Sequence, residues 1–216
     1  MRLLKNVCIL ALGSHEERHG AALPPDTDAR LASYVAERAA GLTGARFLGI
    51  LAASYEYPEI DTGRHQSLEE LLAELRAALS RARRDFGTTG VVLVNGHGGN
   101  GVLRGYIPAL EAELGMRIIF NNTLINLEGP HAATEELSMA AAIGIADESK
   151  LAEHADFNRH PEVGFVGLRP ARARFGWAET QAQEVEKFGV RIDKDMGEKL
   201  LECTITDVVN DVMEIR

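Results

Sequence analysis

The sequence is short of cysteine. Cys8 and Cys203 lie near opposite ends of a 216-residue chain and form no CxxC pair. That excludes a disulfide framework and points to a reducing cytosol. Cys8, inside an apolar run, reads as a small buried hydrophobe, and Cys203 falls in an expected terminal helix. A cluster of Lys and Arg is also missing, and the formal charge is −9, which argues against non-specific nucleic-acid binding. A phosphorylated substrate stays compatible with that charge, because a few local Arg or a helix N-terminus suffice for one phosphate. No apolar run is long enough to span a bilayer. The start, MRLLKNVCILALG, sets Arg2 and Lys5 ahead of six apolar residues, a leader-like arrangement. That run is shorter than a secretory core, and Asn6 interrupts the stretch behind it. There is no internal repeat, low-complexity segment or linker. With 45% apolar and 25% charged residues, the expectation is one soluble, cytoplasmic domain over residues 1–216.

What is present alternates between strand and helix signals. Val7–Leu12 is a continuous apolar run of the kind found in strands covered on both faces. Asp28 to Leu42 carries Leu31, Val35, Ala39 and Leu42 at helical spacing, with Thr27 or Asp28 as its cap. Phe47–Ala53 reads as a second strand. Ser67, with Glu70 as its capping-box partner, opens a helix striped by Leu68, Leu71, Leu72, Leu75 and Leu79. Val91–Val94 is a third buried strand, followed at once by Asn95-Gly96-His97-Gly98-Gly99-Asn100. A helix is expected from Gly101 to Leu114 and a fourth strand from Arg117 to Ile125. A helix capped by Thr134 should follow, then a loop from His154 to Leu168, helical residues around Glu179 to Lys187, and a final helix from Lys194 to Met213. The pattern defines an α/β chain with a mostly parallel sheet.

Three of these strands run into polar loops rich in ligand-type residues. Leu12 leads to Glu17, His19 and Asp28, Val94 to His97, and Ile125 to His131. In an open α/β sheet, sites form beyond the carboxyl ends of parallel strands, so the three loops should converge. Glu17 and His19 are two apart, which in extended backbone points both side chains the same way. The Pro24-Pro25 turn can fold Asp28 back towards them. Two carboxylates and two imidazoles suit Zn²⁺, Mn²⁺ or Fe²⁺ better than Ca²⁺ or a thiolate-loving metal, and a bridging Asp28 would allow two ions. Each residue also has a plainer reading. Glu-x-His in a loop is usually solvated surface, the glycine-rich loop around His97 could be an anion nest, and His131 could be a packed imidazole. Glu136 stands where the helix dipole favours acids in any case. His15, His65, His154 and His160 have no supporting spacing and default to surface or satisfied histidines.

The combination of Glu17-Arg18-His19-Gly20, Leu23-Pro24, Thr27-Asp28, the Asn95–Asn100 loop and the run from His131 to Glu136 resembles the creatininase (creatinine amidohydrolase) family. The resemblance implies a three-layer α/β/α fold with a mostly parallel central sheet and a metal-dependent hydrolase of amide C–N bonds. By motif position it implies Glu17, His19, Asp28 and His97 as metal ligands, with Asp28 bridging. His131 and Glu136 match the family's third motif, which usually reads HAGExETS. Five positions depart from the pattern: Gly99, Ala22, Ala133, Thr134 and Leu137. Gly99 stands where creatinine amidohydrolases carry a ligand Glu, Ala22 stands where the family commonly has a second His, and the third motif reads HAATEELS. Further segments resemble the archaeal formylamino-pyrimidine deformylase branch of the family: Thr27-Asp28 through Ala32-Ser33-Tyr34, Tyr55-Glu56-Tyr57, His131 to Glu136, Pro161 to Gly164 and Val185 to Arg191. That branch implies a phosphorylated pyrimidine substrate, an intermediate towards riboflavin and the deazaflavin cofactor F420, from which formate is released. It also implies ferrous iron, with zinc or manganese able to occupy a second position, and a homo-oligomer. His131 is then expected to carry a proton to the leaving amine, with Glu136 orienting it or binding the second metal. Arg64, His65 and the helix after the His97 loop are candidate phosphate partners. Two alternatives stand beside this reading: an amidohydrolase of the same family acting on a cyclic amide or peptide, and a metal- or nucleotide-binding protein without turnover.

Overall fold

The structure, a computed structural model, describes residues 6–215; Arg2 and Lys5 lie outside that range. In chain order it comprises β1 (Val7–Leu12), α1 (Thr27–Thr43), β2 (Arg46–Leu51), α2 (Leu68–Phe86), β3 (Gly90–Asn95), a 3-10 helix (Gly98–Tyr106) running into α3 (Ile107–Leu114), and β4 (Arg117–Asn121). There follow α4 (Thr123–Leu127), α5 (Thr134–Ala142), α6 (Leu151–His154), α7 (Arg169–Arg174), α8 (Gly176–Phe188) and α9 (Lys194–Ile215). Among the described residues, no helix is long and apolar enough to cross a membrane.

The four strands pair in parallel throughout, in the order β2-β1-β3-β4. Every residue of β1 and β3 is buried, and the pleat sends them alternately to two faces. Val7, Ile9, Ala11, Val92 and Val94 pack with Leu31 and Val35 of α1 and Leu201 and Val208 of α9. Cys8, Leu10, Leu12, Val91 and Leu93 pack with Leu71, Leu75 and Leu79 of α2 and Leu110 of α3. A continuous apolar run therefore means helices on both faces, and the layers are α/β/α.

The sheet order positions the site. From β1 the chain moves outwards to β2, then crosses back past β1 to β3. The order reverses between β1 and β3, which opens a crevice at their carboxyl ends. Two glycines let α1 settle into that crevice. A Cβ on Gly13 would overlap Ala29 Cα, and one on Gly96 would lie 2.5 Å from the Asp28 carbonyl oxygen. Without side chains there, the first turn of α1 sits on the strand ends and delivers Asp28 between them.

Several local expectations give way to tertiary interactions. The α1 N-cap is Asp26, with no side-chain cap bond; Thr27 instead donates its hydroxyl to the Pro24 carbonyl at 2.6 Å, and Asp28 belongs to the site. The strand expected to reach Ile125 stops at Asn121. Its Nδ2 donates to Asp207 (2.9 Å) and Asp211 (2.7 Å) of α9, and its Oδ1 accepts from the Thr123 N–H, so the chain turns into α4. The helix expected from Gly101 begins at Gly98 as 3-10. Ala133, not Thr134, occupies the N-cap of α5, and the Thr134 hydroxyl accepts from the Arg191 N–H at 3.2 Å. The Ser67–Glu70 capping box of α2 is present in full.

Candidate metal centre

The loop after β1 is held in a fixed shape before it presents any side chain. Glu17 forms an antiparallel bridge with Gly63, and the Glu17 N–H donates to the Pro25 carbonyl at 3.2 Å. The loop thus closes on itself, and Glu17, His19 and Asp28 meet although Pro24-Pro25 separates them in the chain. After β3, Asn95 clamps the second loop. Its Nδ2 donates to the His97 carbonyl and to Asn122 Oδ1, both at 2.9 Å.

The two histidines face opposite oxygens of one carboxylate. His19 Nε2 lies 2.8 Å from Asp28 Oδ1 and 3.4 Å from Glu136 Oε1. His97 Nδ1 lies 2.9 Å from Asp28 Oδ2 and 2.8 Å from Glu17 Oε2. The other ring nitrogens are anchored to backbone: His19 Nδ1 donates to the Glu17 carbonyl and His97 Nε2 to the Tyr55 carbonyl, each at 3.1 Å. Such anchoring fixes the tautomer and leaves one nitrogen free to act as a ligand. Glu136 is held in the same manner. Its Oε2 accepts from the Ala132 N–H at 2.7 Å, and Ala132 adopts a left-handed φ of 53°. A non-glycine residue in that region is a local strain, and the surrounding bonds sustain it.

The donor atoms fit a cation. Glu17, His19, Asp28, His97 and Glu136 are none of them more than 4% exposed. Buried ionisable groups need a charge partner or a metal. Glu17 Oε2 and Glu136 Oε1 have no hydrogen-bond partner, although each approaches an imidazole nitrogen. Orphan carboxylate oxygens and imidazole lone pairs thus converge on two points that share Asp28, and oxygen–nitrogen sets of this kind suit Zn²⁺, Mn²⁺ or Fe²⁺. Burial opposes a proton on His19, yet the Asp28, Glu136 and Glu17 carboxylates outweigh burial and lift its pKa to about 10. Burial likewise works against ionised Glu17, but His97, His131 and His19 hold it well below the usual carboxylate range. Glu136 is pushed upwards, by burial first, against the pull of His19 and His131.

Glu17, His19, Asp28 and His97, expected as one ligand set, are therefore together. Glu136 joins them, and His131 stands beside His19 with ring centroids 4.7 Å apart. His131 Nε2 donates to the Arg18 carbonyl at 2.9 Å, and its ring stacks on Phe165. Arg64 is not brought in; it lies 3.8 Å from Glu16 in a separate cleft. His65, expected as surface or a phosphate partner, stacks on His97 at 5.1 Å and is held by the Ser54 and Thr62 hydroxyls. A possible ligand set of Glu17, His65 and His97 escaped sequence reasoning. The signal, if any, lay in the turn chemistry around Gly63, which brings His65 beside the β1 loop. His154 is the satisfied histidine expected. Its Nδ1 accepts from the Ala22 N–H at 3.1 Å, and its Nε2 donates to the Ala132 carbonyl at 2.7 Å.

Next to the centre lies a cavity of about 220 Å³, reached by Glu17 and His131 and walled by Glu56, Tyr57, Gly99, Glu128, Phe165, Trp177 and Gln181. Burial lifts Glu56 to about 7 against the opposing pull of His97.

A parallel sheet covered by helices on both faces, with two buried imidazoles sharing one carboxylate at its switch point, defines the class: an α/β protein with a candidate metal centre. The family model described as creatinine amidohydrolase matches residues 3–212, and the chain belongs to the creatininase family. Within the family it is 45% identical over 208 residues to the 2-amino-5-formylamino-6-ribosylaminopyrimidin-4(3H)-one 5'-monophosphate deformylase of Methanothermobacter thermautotrophicus, covering 96% of this chain and 88% of that protein. The corresponding deformylase of Methanothermus fervidus is 41% identical over 210 residues, covering 97% and 85%. Among solved structures, a putative creatinine amidohydrolase from Bacteroides fragilis superposes with a TM-score of 0.68 at 17% identity, covering 100% of this chain and 90% of that one. A manganese creatininase gives 0.68 at 19% identity, covering 98% and 91%. These solved structures carry the fold.

Proposed function

We propose that the chain hydrolyses the formamide of 2-amino-5-formylamino-6-ribosylaminopyrimidin-4(3H)-one 5'-monophosphate, taking up water and releasing formate and the 5-amino pyrimidine. The sequence identity of 41% and 45% to deformylases over nearly the full chain supports that substrate. The observation that carries the chemistry is the division of Asp28 between His19 and His97, at 2.8 Å and 2.9 Å, beside an open cavity. Asp28, Glu17 and His97 would hold one cation, and Asp28, His19 and Glu136 a second. A divalent cation supplies Lewis acidity to a carbonyl and lowers the pKa of water at the centre.

The chain's own groups do the rest. The backbone anchors of His19 and His97 keep Nε2 of the one and Nδ1 of the other aimed at the shared carboxylate, and a cation would take the place of the protons that the neighbouring carboxylates favour there. Of the two roles open to Glu136, ligation fits better: Oε2 is fixed by the Ala132 N–H and Oε1 is left towards His19 Nε2. His131 stands on the cavity wall with Nε2 tied to the Arg18 carbonyl. Its Nδ1, a lone-pair nitrogen in the neutral ring, is then the one able to take up the proton that water gives up on adding to the formyl carbon and to hand it to the departing amine. Iron(II) is the ion the deformylase resemblance favours, while creatininase structures include manganese and zinc–zinc forms. The exposed free thiol of Cys203 fits a cytoplasmic setting, and family likeness suggests a homo-oligomer.

Creatinine is disfavoured as substrate. A Cβ on Gly99 would overlap the Tyr55 carbonyl, so the ligand Glu that creatinine amidohydrolases carry at that position has no room here. Formate release from the formylamino pyrimidine, assayed anaerobically with Fe²⁺, tests the reading. Creatinine turnover at a comparable rate would overturn it.

A further inference from the structure

Glu56 and Glu128 both reach the cavity, and they differ in what holds them. Glu56 Oε1 accepts from the Tyr57 N–H at 2.7 Å, and Oε2 lies 3.6 Å from His97 Nε2. That carboxylate is committed to its own loop and to the centre. Glu128, half-buried in the turn after α4, makes no side-chain hydrogen bond or ion pair among the described residues. Gln181, projecting from α8, lines the same cavity with its Oε1 buried and without a partner. Three Glu side chains and no Lys or Arg are among the lining residues, so the wall is an acidic, acceptor-rich surface. Gln181 Oε1, kept from water without a donor, is destabilising until a ligand supplies one.

We infer that Glu128, assisted by Gln181, reads the N–H edge of a 2-aminopyrimidin-4(3H)-one ring, accepting from N3–H and the 2-amino group. The identity of the ring rests on the deformylase reading above. In that ring the formamide at C5 and the donor edge at N3 and C2 lie on opposite sides. With the formamide at the centre, the donors turn away from it and into the cavity. A carboxylate can take both donors at once, and such paired, charge-assisted bonds are short and directional. The same acceptor surface repels a phosphate, which leaves the ribosyl phosphate at the mouth. The cavity volume, about 220 Å³, suits the head group and not the whole nucleotide. Burial and the Glu136 and Asp28 carboxylates push Glu128 well above the ordinary range, and N–H donors from a ligand act in the opposite direction.

The test compares the metal-loaded full chain with its Glu128→Gln and Glu128→Ala variants. Formate release is followed on the aminopyrimidine substrate and on an analogue with hydrogen in place of the 2-amino group. Glu128→Ala should lower kcat/KM on the substrate about a hundredfold, with metal content unchanged, because a site built around a donor loses its discrimination when the acceptor goes. On the analogue the wild type should already be slow, and the variant should lose little more. An equal loss on both compounds, or no loss on either, overturns the inference. A second readout is independent of turnover: calorimetric binding of 2,6-diaminopyrimidin-4(3H)-one, which has no formamide. If the wild type releases no formate but binds this probe at least about tenfold more tightly than Glu128→Ala, the deformylase reading falls and the edge-reading role stands. If formate is released and neither assay responds to Glu128, the role falls and the deformylase reading stands. Neither formate release nor probe binding would remove both.

Discussion

Asp28 is the residue on which the centre turns, since each of its oxygens faces a different imidazole. Asp28→Asn keeps the shape and removes the shared charge, so elemental analysis should find both ions depleted. His97→Ala should deplete the ion held with Glu17 and leave the other largely in place; full occupancy in that variant would remove His97 from the ligand set. His154 touches none of these ligands, yet it ties the Ala22 loop to the strained Ala132. His154→Ala should cost about 2–4 kcal/mol in denaturant unfolding, because two backbone groups lose a buried partner. Burial holds the His154 pKa below the ordinary 6.5. The stability this neutral ring contributes is complete above pH 6.5 and is lost as pH falls from there through its lowered folded value. The acid limb of stability should therefore be steeper in the wild type than in His154→Asn. At this scale the sequence was legible where local geometry decides, as with Glu17-x-His19, and opaque where it does not. Glu136 reads as an ordinary first-turn acid until Ala132 is seen to hold one of its oxygens, and His65 reads as surface until the Glu17–Gly63 bridge turns it inwards.

Elements bring these residues together only because α1 lies directly on the ends of β1 and β3. Gly96→Ala puts a methyl 2.5 Å from the Asp28 carbonyl oxygen and 2.9 Å from Ala32 Cβ. The helix must lift, and with it Asp28. We expect this small, chemically silent change to reduce metal content and formate release together, whereas Ser67→Ala at the α2 cap should cost about 1 kcal/mol and leave both unchanged. Strand and helix identities were legible from apolar periodicity, because β1 and β3 are buried on both faces and α2 carries one apolar stripe. The early end of β4 was not legible. It depends on Asp207 and Asp211 of α9 taking the Asn121 amide, a contact between residues 86 and 90 positions apart. That ending matters for the site, since it turns Ile125 into α4 and onto the cavity wall.

At the scale of the whole molecule, five buried ionisable side chains, Glu17, His19, Asp28, His97 and Glu136, gather at the crevice where the strand order reverses. Removing metal should therefore be felt globally. Ions present at a hundred times their dissociation constant add about 2.7 kcal/mol. For a chain of this size that corresponds to a fall in Tm of about 5–10 °C on chelation, recovered when the metal is restored. Calorimetry with and without chelator checks this, and an unchanged Tm would mean that the centre folds around protons alone. The convergence of three polar loops was legible from their positions after apolar runs, but the cavity beside them was not, because its far wall comes from α8 and the Phe165 segment, which no strand-end rule locates. That wall also carries Trp177, the sole tryptophan of the chain, 46% exposed and edge-on to Phe165 at 5.4 Å. Its emission comes from one indole in one place, so the unlabelled protein carries its own optical reporter. A ligand entering the cavity must change the polarity around that ring, and a titration can be read as a spectral shift with no background from elsewhere.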